Sequence, residues 1–233
     1  MFEKIKCFIL DMDGTIYLGN ELFSFTKEFL KKVDETGRKY YFFTNNSSKS
    51  QQDYIEKLEK FGIRIKNQQM MTSTHVISRY LKQHYEGKSV YVVGTPSLIQ
   101  EFQYFGVNVT EEDPDIVVLG FDTTLTYEKL SKACHYIRNG CIYFGINPDW
   151  NCPMEGGAFI PDCGSIAKLI EASTGRFPEF FGKPSKHTLE YIIQQTGYEP
   201  DEIAIVGDRL HTDIAVADQS DVTSILVLSG ENT

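Results

Sequence analysis

The chain has 233 residues, 41% of them hydrophobic and 24% charged, which excludes a disordered or fibrous protein. A formal net charge of −9 argues against nucleic acid or an anionic membrane as the main partner, since both need a basic footprint. The five cysteines (Cys7, Cys134, Cys141, Cys152, Cys163) contain no CxxC pair, so zinc spacing is absent and free thiols in a reducing compartment are expected.

Residues 5–10 (IKCFIL) read as a buried strand, too short and too soon interrupted for a signal peptide or membrane span. A cytoplasmic protein is expected. The strand runs straight into Asp11-Met12-Asp13-Gly14-Thr15. Beyond a strand's carboxyl end is where parallel α/β sheets bind ligands, and two residues apart in extended backbone both carboxylates point the same way. One carboxylate can attack phosphorus, and the second can protonate the leaving oxygen and then deprotonate water. By itself, however, DxD is also a common solvated turn.

Helical spacing of Phe25, Phe29, Leu30 and Val33 predicts a helix over 24–36, stopped by Gly37. Strand 39–43 (KYYFF) follows and leads to Thr44-Asn45-Asn46-Ser47-Ser48. That run can cradle phosphate at a helix N-terminus or serve merely as an N-cap. Ser48 or Ser50 caps the next helix, whose face carries Tyr54, Ile55, Leu58 and Phe61. From about residue 72 a second α/β series is predicted: helices near 73–84, 97–105, 126–139 and 164–174 alternate with strands 89–93, 115–119 and 141–146. Asn147-Pro148-Asp149 follows the last of these strands as either a substrate contact or a polar turn. Trp150 and Phe159 are candidates to line an apolar pocket, although a lone Trp more often packs in a core.

After Gly175 and Pro178 come Gly182-Lys183-Pro184-Ser185, a helix over 187–196, strand 202–206, a helix over 212–219 and strand 223–228. Lys183 offers a point charge to a phosphoryl oxygen. Asp208 directly follows strand EIAIV, and Asp213 opens the next predicted helix. If these loops converge on one sheet edge, the carboxylates cannot all ionise without a cation, and all-oxygen ligands beside phosphate suit Mg²⁺. Mg²⁺ and Lys183 together would let an acidic protein hold an anionic substrate.

DMDGT, the Thr of TNNSS, the Lys of GKPS and GDRLHTD, in that order, resemble the four motifs of the haloacid dehalogenase-like phosphatases. DMDGTIYLG, INPD, GSIAKLIEASTG and VGDRLHTDI are similar to its NagD-like branch, which includes p-nitrophenyl phosphatase-like proteins. The resemblance spans the whole chain. It implies a Rossmann-like, doubly wound parallel α/β core over 1–71 and 179–233, with an inserted α/β cap of type C2 over 72–178. Asp11 is then the nucleophile and a Mg²⁺ ligand, and Asp13 the acid/base and a Mg²⁺ ligand through its carbonyl. Thr44, Asn45 and Lys183 hold phosphate, Asp208 completes the metal site, and Asp213 supports it. Asn147 and Asp149 are candidate substrate contacts in the cap. The reaction implied is hydrolysis of small phosphate monoesters through an aspartyl-phosphate. The alternatives are a non-catalytic phosphometabolite-binding module and a dehalogenase, which needs neither Asp13 nor a metal. A homodimer is expected from the pairing of such caps, and related chains often carry a further element after LVLSGENT.

Overall fold

The computed structural model describes residues 3–154, 157–218 and 220–230. They form two compact units. The first comprises residues up to Thr44, Gln51–Met71 and those from Lys183 onward; the second comprises Asn45–Ser50 and Thr72–Gly182.

In the first unit the sheet order is β14-β13-β1-β4-β5, with β1 at Cys7–Leu10, β4 at Lys39–Thr44, β5 at Met70–Thr72, β13 at Ile203–Gly207 and β14 at Thr223–Leu226. β1 runs parallel to both β4 and β13, and β13 parallel to β14. All four residues of β1 are buried, as a strand covered on both faces requires. Helices α1 (Thr26–Glu35) and α2 (Gln51–Lys60) bury Leu30, Val33, Tyr54, Ile55 and Leu58 in this unit's core, with Phe42 and Val206. Each such aliphatic or aromatic side chain contributes roughly 1.5–3 kcal/mol on leaving water. A short antiparallel hairpin, β2 (Tyr17–Leu18) with β3 (Glu21–Leu22), follows the first loop. The chain leaves β1 toward β4 and returns on the other side through β13. The order therefore reverses between β1 and β13, which opens a crevice at their carboxyl ends.

The second unit has its own parallel sheet in the order β12-β9-β8-β6-β7. Its strands are β6 (Ser89–Val93), β7 (Asn108–Val109), β8 (Ile116–Leu119), β9 (Ile142–Gly145) and β12 (Glu179–Phe180). Helices α3 (Ser73–His84), α4 (Pro96–Tyr104), α5 (Tyr127–Arg138) and α6 (Cys163–Thr174) accompany it, and β10 (Asn151–Pro153) pairs antiparallel with β11 (Phe159–Pro161). Thr95, Thr126 and Asp162 cap three of these helices by accepting backbone N–H groups.

Two expectations need correction. The first unit resumes at Lys183 rather than 179, because Glu179–Phe180 adds a strand to the second sheet beside β9. The helix expected over 212–219 is instead one π-helical turn, Leu210–Ile214, followed by a 3₁₀ turn at Ala215–Ala217. Thr212, Ile214 and Val216 are β-branched, and the Asp213 side chain accepts the Arg209 N–H (3.1 Å), competing with a regular helix start. Gln219 and the ENT of LSGENT lie outside the described residues, as does Met1-Phe2 at the start of the expected core.

A pH response arises in the second unit. Thr72 caps α3, and the Nδ1 of His75 accepts the Thr72 backbone N–H (3.1 Å), a role open only to the neutral ring. Burial against Phe105 lowers the His75 pKa from 6.5 to about 4. The unfolded chain thus binds the proton first as pH falls, so this contribution is whole above pH 6.5 and lost on descent toward pH 4. The loss amounts to roughly 3 kcal/mol. His75→Gln, which retains an acceptor, is expected to flatten the melting temperature between those limits. Parallel acid losses in parent and variant would remove His75 as the cause.

Candidate active site

Asp11 emerges from β1 with its backbone N–H donating to Val206 O (2.9 Å), which ties the loop to the neighbouring strand β13. Lys183 Nζ lies 2.6 Å from Asp11 Oδ1 and 2.5 Å from Asp213 Oδ1, with the lysine only 2% exposed. Nζ also donates to Phe43 O (3.5 Å), at the end of β4. One oxygen from each of Asp11, Asp208 and Asp213 lies within 4.8 Å of the other two. Two strand ends, the loop carrying Lys183 and the π-turn thus deliver four charged groups to one place.

Glycines make this close approach possible. Gly14 has φ +88°, and a Cβ there would stand 2.4 Å from Asp208 Oδ2. A Cβ on Gly230 would stand 2.0 Å from the same oxygen, and the Ser229 hydroxyl donates to Gly14 O (2.7 Å). The turn after β14 therefore closes on the loop that follows β1 and on Asp208. The Thr15 hydroxyl also points to Asp208 Oδ1, at 3.5 Å.

Burial, then the Asp213 carboxylate, push the Asp11 carboxyl well above the usual range; Lys183 opposes the shift and Asp208 adds to it. Burial works against the charged form of Lys183, but Asp11 and Asp213 outweigh it and hold the ammonium above its ordinary pKa. Three carboxylates against one ammonium leave a negative, all-oxygen donor set. That set fits a hard divalent cation, which would bring the Asp11 pKa back down.

Asp13 is partly buried and its Oδ2 accepts from the Tyr17 hydroxyl (3.2 Å). Thr44 is buried at the end of β4. Asp11, Asp13, Thr44, Lys183, Asp208 and Asp213 all belong to the first unit, whereas Asn45, Asn147 and Asp149 belong to the second. There, Asp149 Oδ2 accepts from Asn45 Nδ2 (2.9 Å) and Asn147 Nδ2 (2.8 Å), while Asn147 Oδ1 accepts from the Ser47 hydroxyl (3.1 Å). Asn147 Nδ2 also reaches Asp162 Oδ1 (3.0 Å), the cap of α6. These partners are those of a buried polar turn. Trp150 and Phe159 are not core residues, being 48% and 58% exposed.

Sequence reasoning missed Tyr17, Ser229 and Gly230. The hydroxyl-glycine pair just past an apolar strand was the available signal for the last two.

Residues 8–108 match the haloacid dehalogenase-like hydrolase family and residues 180–233 the HAD-hydrolase-like family. An acid sugar phosphatase of Staphylococcus aureus (strain MRSA252) is 33% identical, with 99% of this chain and 89% of the relative aligned. The 5'-nucleotidase YutF of Bacillus subtilis (strain 168) is also 33% identical, over 98% of this chain and 89% of its own length. The crystal structure of a 4-nitrophenylphosphatase from Thermotoga maritima superposes with a TM-score of 0.96 and 43% identity, covering 100% of this chain and 89% of that one. A putative NagD protein gives the same TM-score and identity, with 100% and 92% covered. The chain belongs to the haloacid dehalogenase-like hydrolase family, in its NagD-like phosphatase branch.

Proposed function

We propose that this protein hydrolyses small-molecule phosphate monoesters, with Mg²⁺, through a phosphorylated Asp11. The observation that carries this reading is the Asp11 carboxylate held 2.6 Å from a buried lysine at the carboxyl end of β1, beside Asp208 and Asp213. Asp11 attacks phosphorus as the bond to the leaving oxygen breaks, and Asp13 gives that oxygen a proton. Asp13 then takes a proton from the water that attacks the phosphoryl group, and phosphate leaves with Asp11 restored. Thr44 offers its hydroxyl to the phosphoryl oxygens and Lys183 its charge. Asp11, Asp208 and the backbone carbonyl of Asp13 would hold Mg²⁺, with Asp213 in support. When bound, the ion neutralises charge that builds on the phosphoryl oxygens.

Relatives are named an acid sugar phosphatase and a 5'-nucleotidase, and sugar phosphates and nucleoside monophosphates therefore stand first among the candidates here. A cytoplasmic setting is inferred from the free cysteines and from the family; no described helix is long and apolar enough to cross a membrane. A homodimer is inferred from the family's paired caps.

The test is phosphate release from p-nitrophenyl phosphate and a panel of sugar, nucleoside, glycerol and pyridoxal phosphates, with Mg²⁺ and with chelator. Turnover that disappears with chelator is the expected result. A folded, metal-loaded protein that turns over no compound would favour the phosphometabolite-binding module instead.

A further inference from the structure

We propose that Tyr17 is a positioning residue for the acid–base carboxylate, tying one oxygen of Asp13 so that the other carries the travelling proton. The inference rests on the role of Asp13 given above. Tyr17 is fully buried, and its hydroxyl donates to Asp13 Oδ2 at 3.2 Å. The two residues are also joined through the backbone: Asp13 and Tyr17 form an isolated β-bridge, and the Gly14 N–H donates to Tyr17 O (2.8 Å). The ring is fixed in turn, with Lys57 Nζ 3.7 Å from its centroid and the Phe61 ring 5.5 Å away.

A carboxyl group free to turn about its last bond presents its proton from either oxygen. With Oδ2 accepting from a buried phenol, the proton resides on Oδ1. It passes from Oδ1 to the leaving oxygen as the phosphorus–oxygen bond breaks, and Oδ1 later receives a proton from water. The benefit depends on the leaving group. p-Nitrophenolate departs with little help, whereas phenolate is more basic and needs the proton more.

The experiment compares Tyr17→Phe with the parent on p-nitrophenyl phosphate and phenyl phosphate at saturating Mg²⁺, with melting temperatures to verify folding. Phenylalanine retains the packed ring and removes only the hydroxyl. kcat on phenyl phosphate is expected to fall about tenfold, and on p-nitrophenyl phosphate less than about threefold, with KM unchanged for both. Added to Asp13→Asn, Tyr17→Phe should cause no further loss. Equal losses on the two substrates, or a full second loss in the Asp13→Asn background, would overturn the proposal. Asp13→Asn alone separates this from the underlying reading: if it lowers both substrates equally, the acid–base role of Asp13 fails whatever Tyr17 does.

Discussion

Asp11→Asn is expected to abolish turnover, with a loss on the order of 10⁵-fold, while the fold survives. An amide cannot form the covalent link to phosphorus, and no other carboxylate in the cluster has the same position at the end of β1. Asp208 and Asp213 are almost wholly buried, and Asp213 is engaged by Lys183 and by the Arg209 N–H. Stability should respond in the opposite sense to activity. Burial and the neighbouring Asp213 already disfavour the Asp11 carboxylate in the metal-free protein. A neutral amide relieves that repulsion while Lys183 retains Asp213. The metal-free melting temperature is therefore expected to stay level or rise. The further rise on adding Mg²⁺ should shrink, because a ligand that binds only the folded state stabilises it in proportion to its affinity. Phosphate release and melting curves with and without Mg²⁺ test both halves. Parental turnover in the variant would remove Asp11 from the nucleophile's role.

Lys183→Met carries the second large effect, and here activity and stability fall together. The lysine stem lies in the first unit with its ammonium against two carboxylates, and methionine fills similar volume without the charge. Asp11 and Asp213 then lack their ammonium. Breaking a buried ion pair from one side costs about 3–5 kcal/mol, because the partner's charge remains buried and uncompensated. Turnover should drop about a thousandfold, comparable to losing a group that stabilises charge in the transition state. Mg²⁺ should restore part of the lost stability but little of the activity, since it replaces charge and not the contact to the phosphoryl group proposed for Lys183. Chemical denaturation with and without Mg²⁺, beside phosphate release, measures each. A variant as stable as the parent without metal would show that Lys183 does not neutralise the cluster.

Much of the site could be read from the chain because strand ends announce themselves. An apolar run that stops at Asp11, Thr44 or Asp208 marks the carboxyl edge of a buried strand, and parallel topology brings such edges together. What depends on a particular partner could not be read. Asn45 could be placed after its strand, but not the partner of its amide, Asp149, more than a hundred residues away. The Lys183–Asp213 pair joins a loop to a π-turn that no periodicity indicates. Glu179–Phe180 is too short for an alternating pattern to reveal its sheet, which misplaced the boundary of the first unit by four residues. The helix expected after Asp208 failed for a local reason: an aspartate side chain competed with the backbone for its own turn.

The position of β1 between β13 and β4 also governs how the protein comes into being. Synthesis runs from the N-terminus, so when Gly182 has been made every residue of the second unit exists. β13 and β14 do not yet exist, and one edge of the fully apolar β1 has no strand to pair with. An unpaired apolar edge invites pairing with other chains, so this interval exposes the nascent protein to aggregation. The same missing segment carries Lys183, Asp208, Asp213 and the Ser229–Gly230 turn. Closing the sheet and completing the cluster of Asp11, Lys183, Asp208 and Asp213 thus depend on the same late segment, and a partly made chain has the open edge without the cluster.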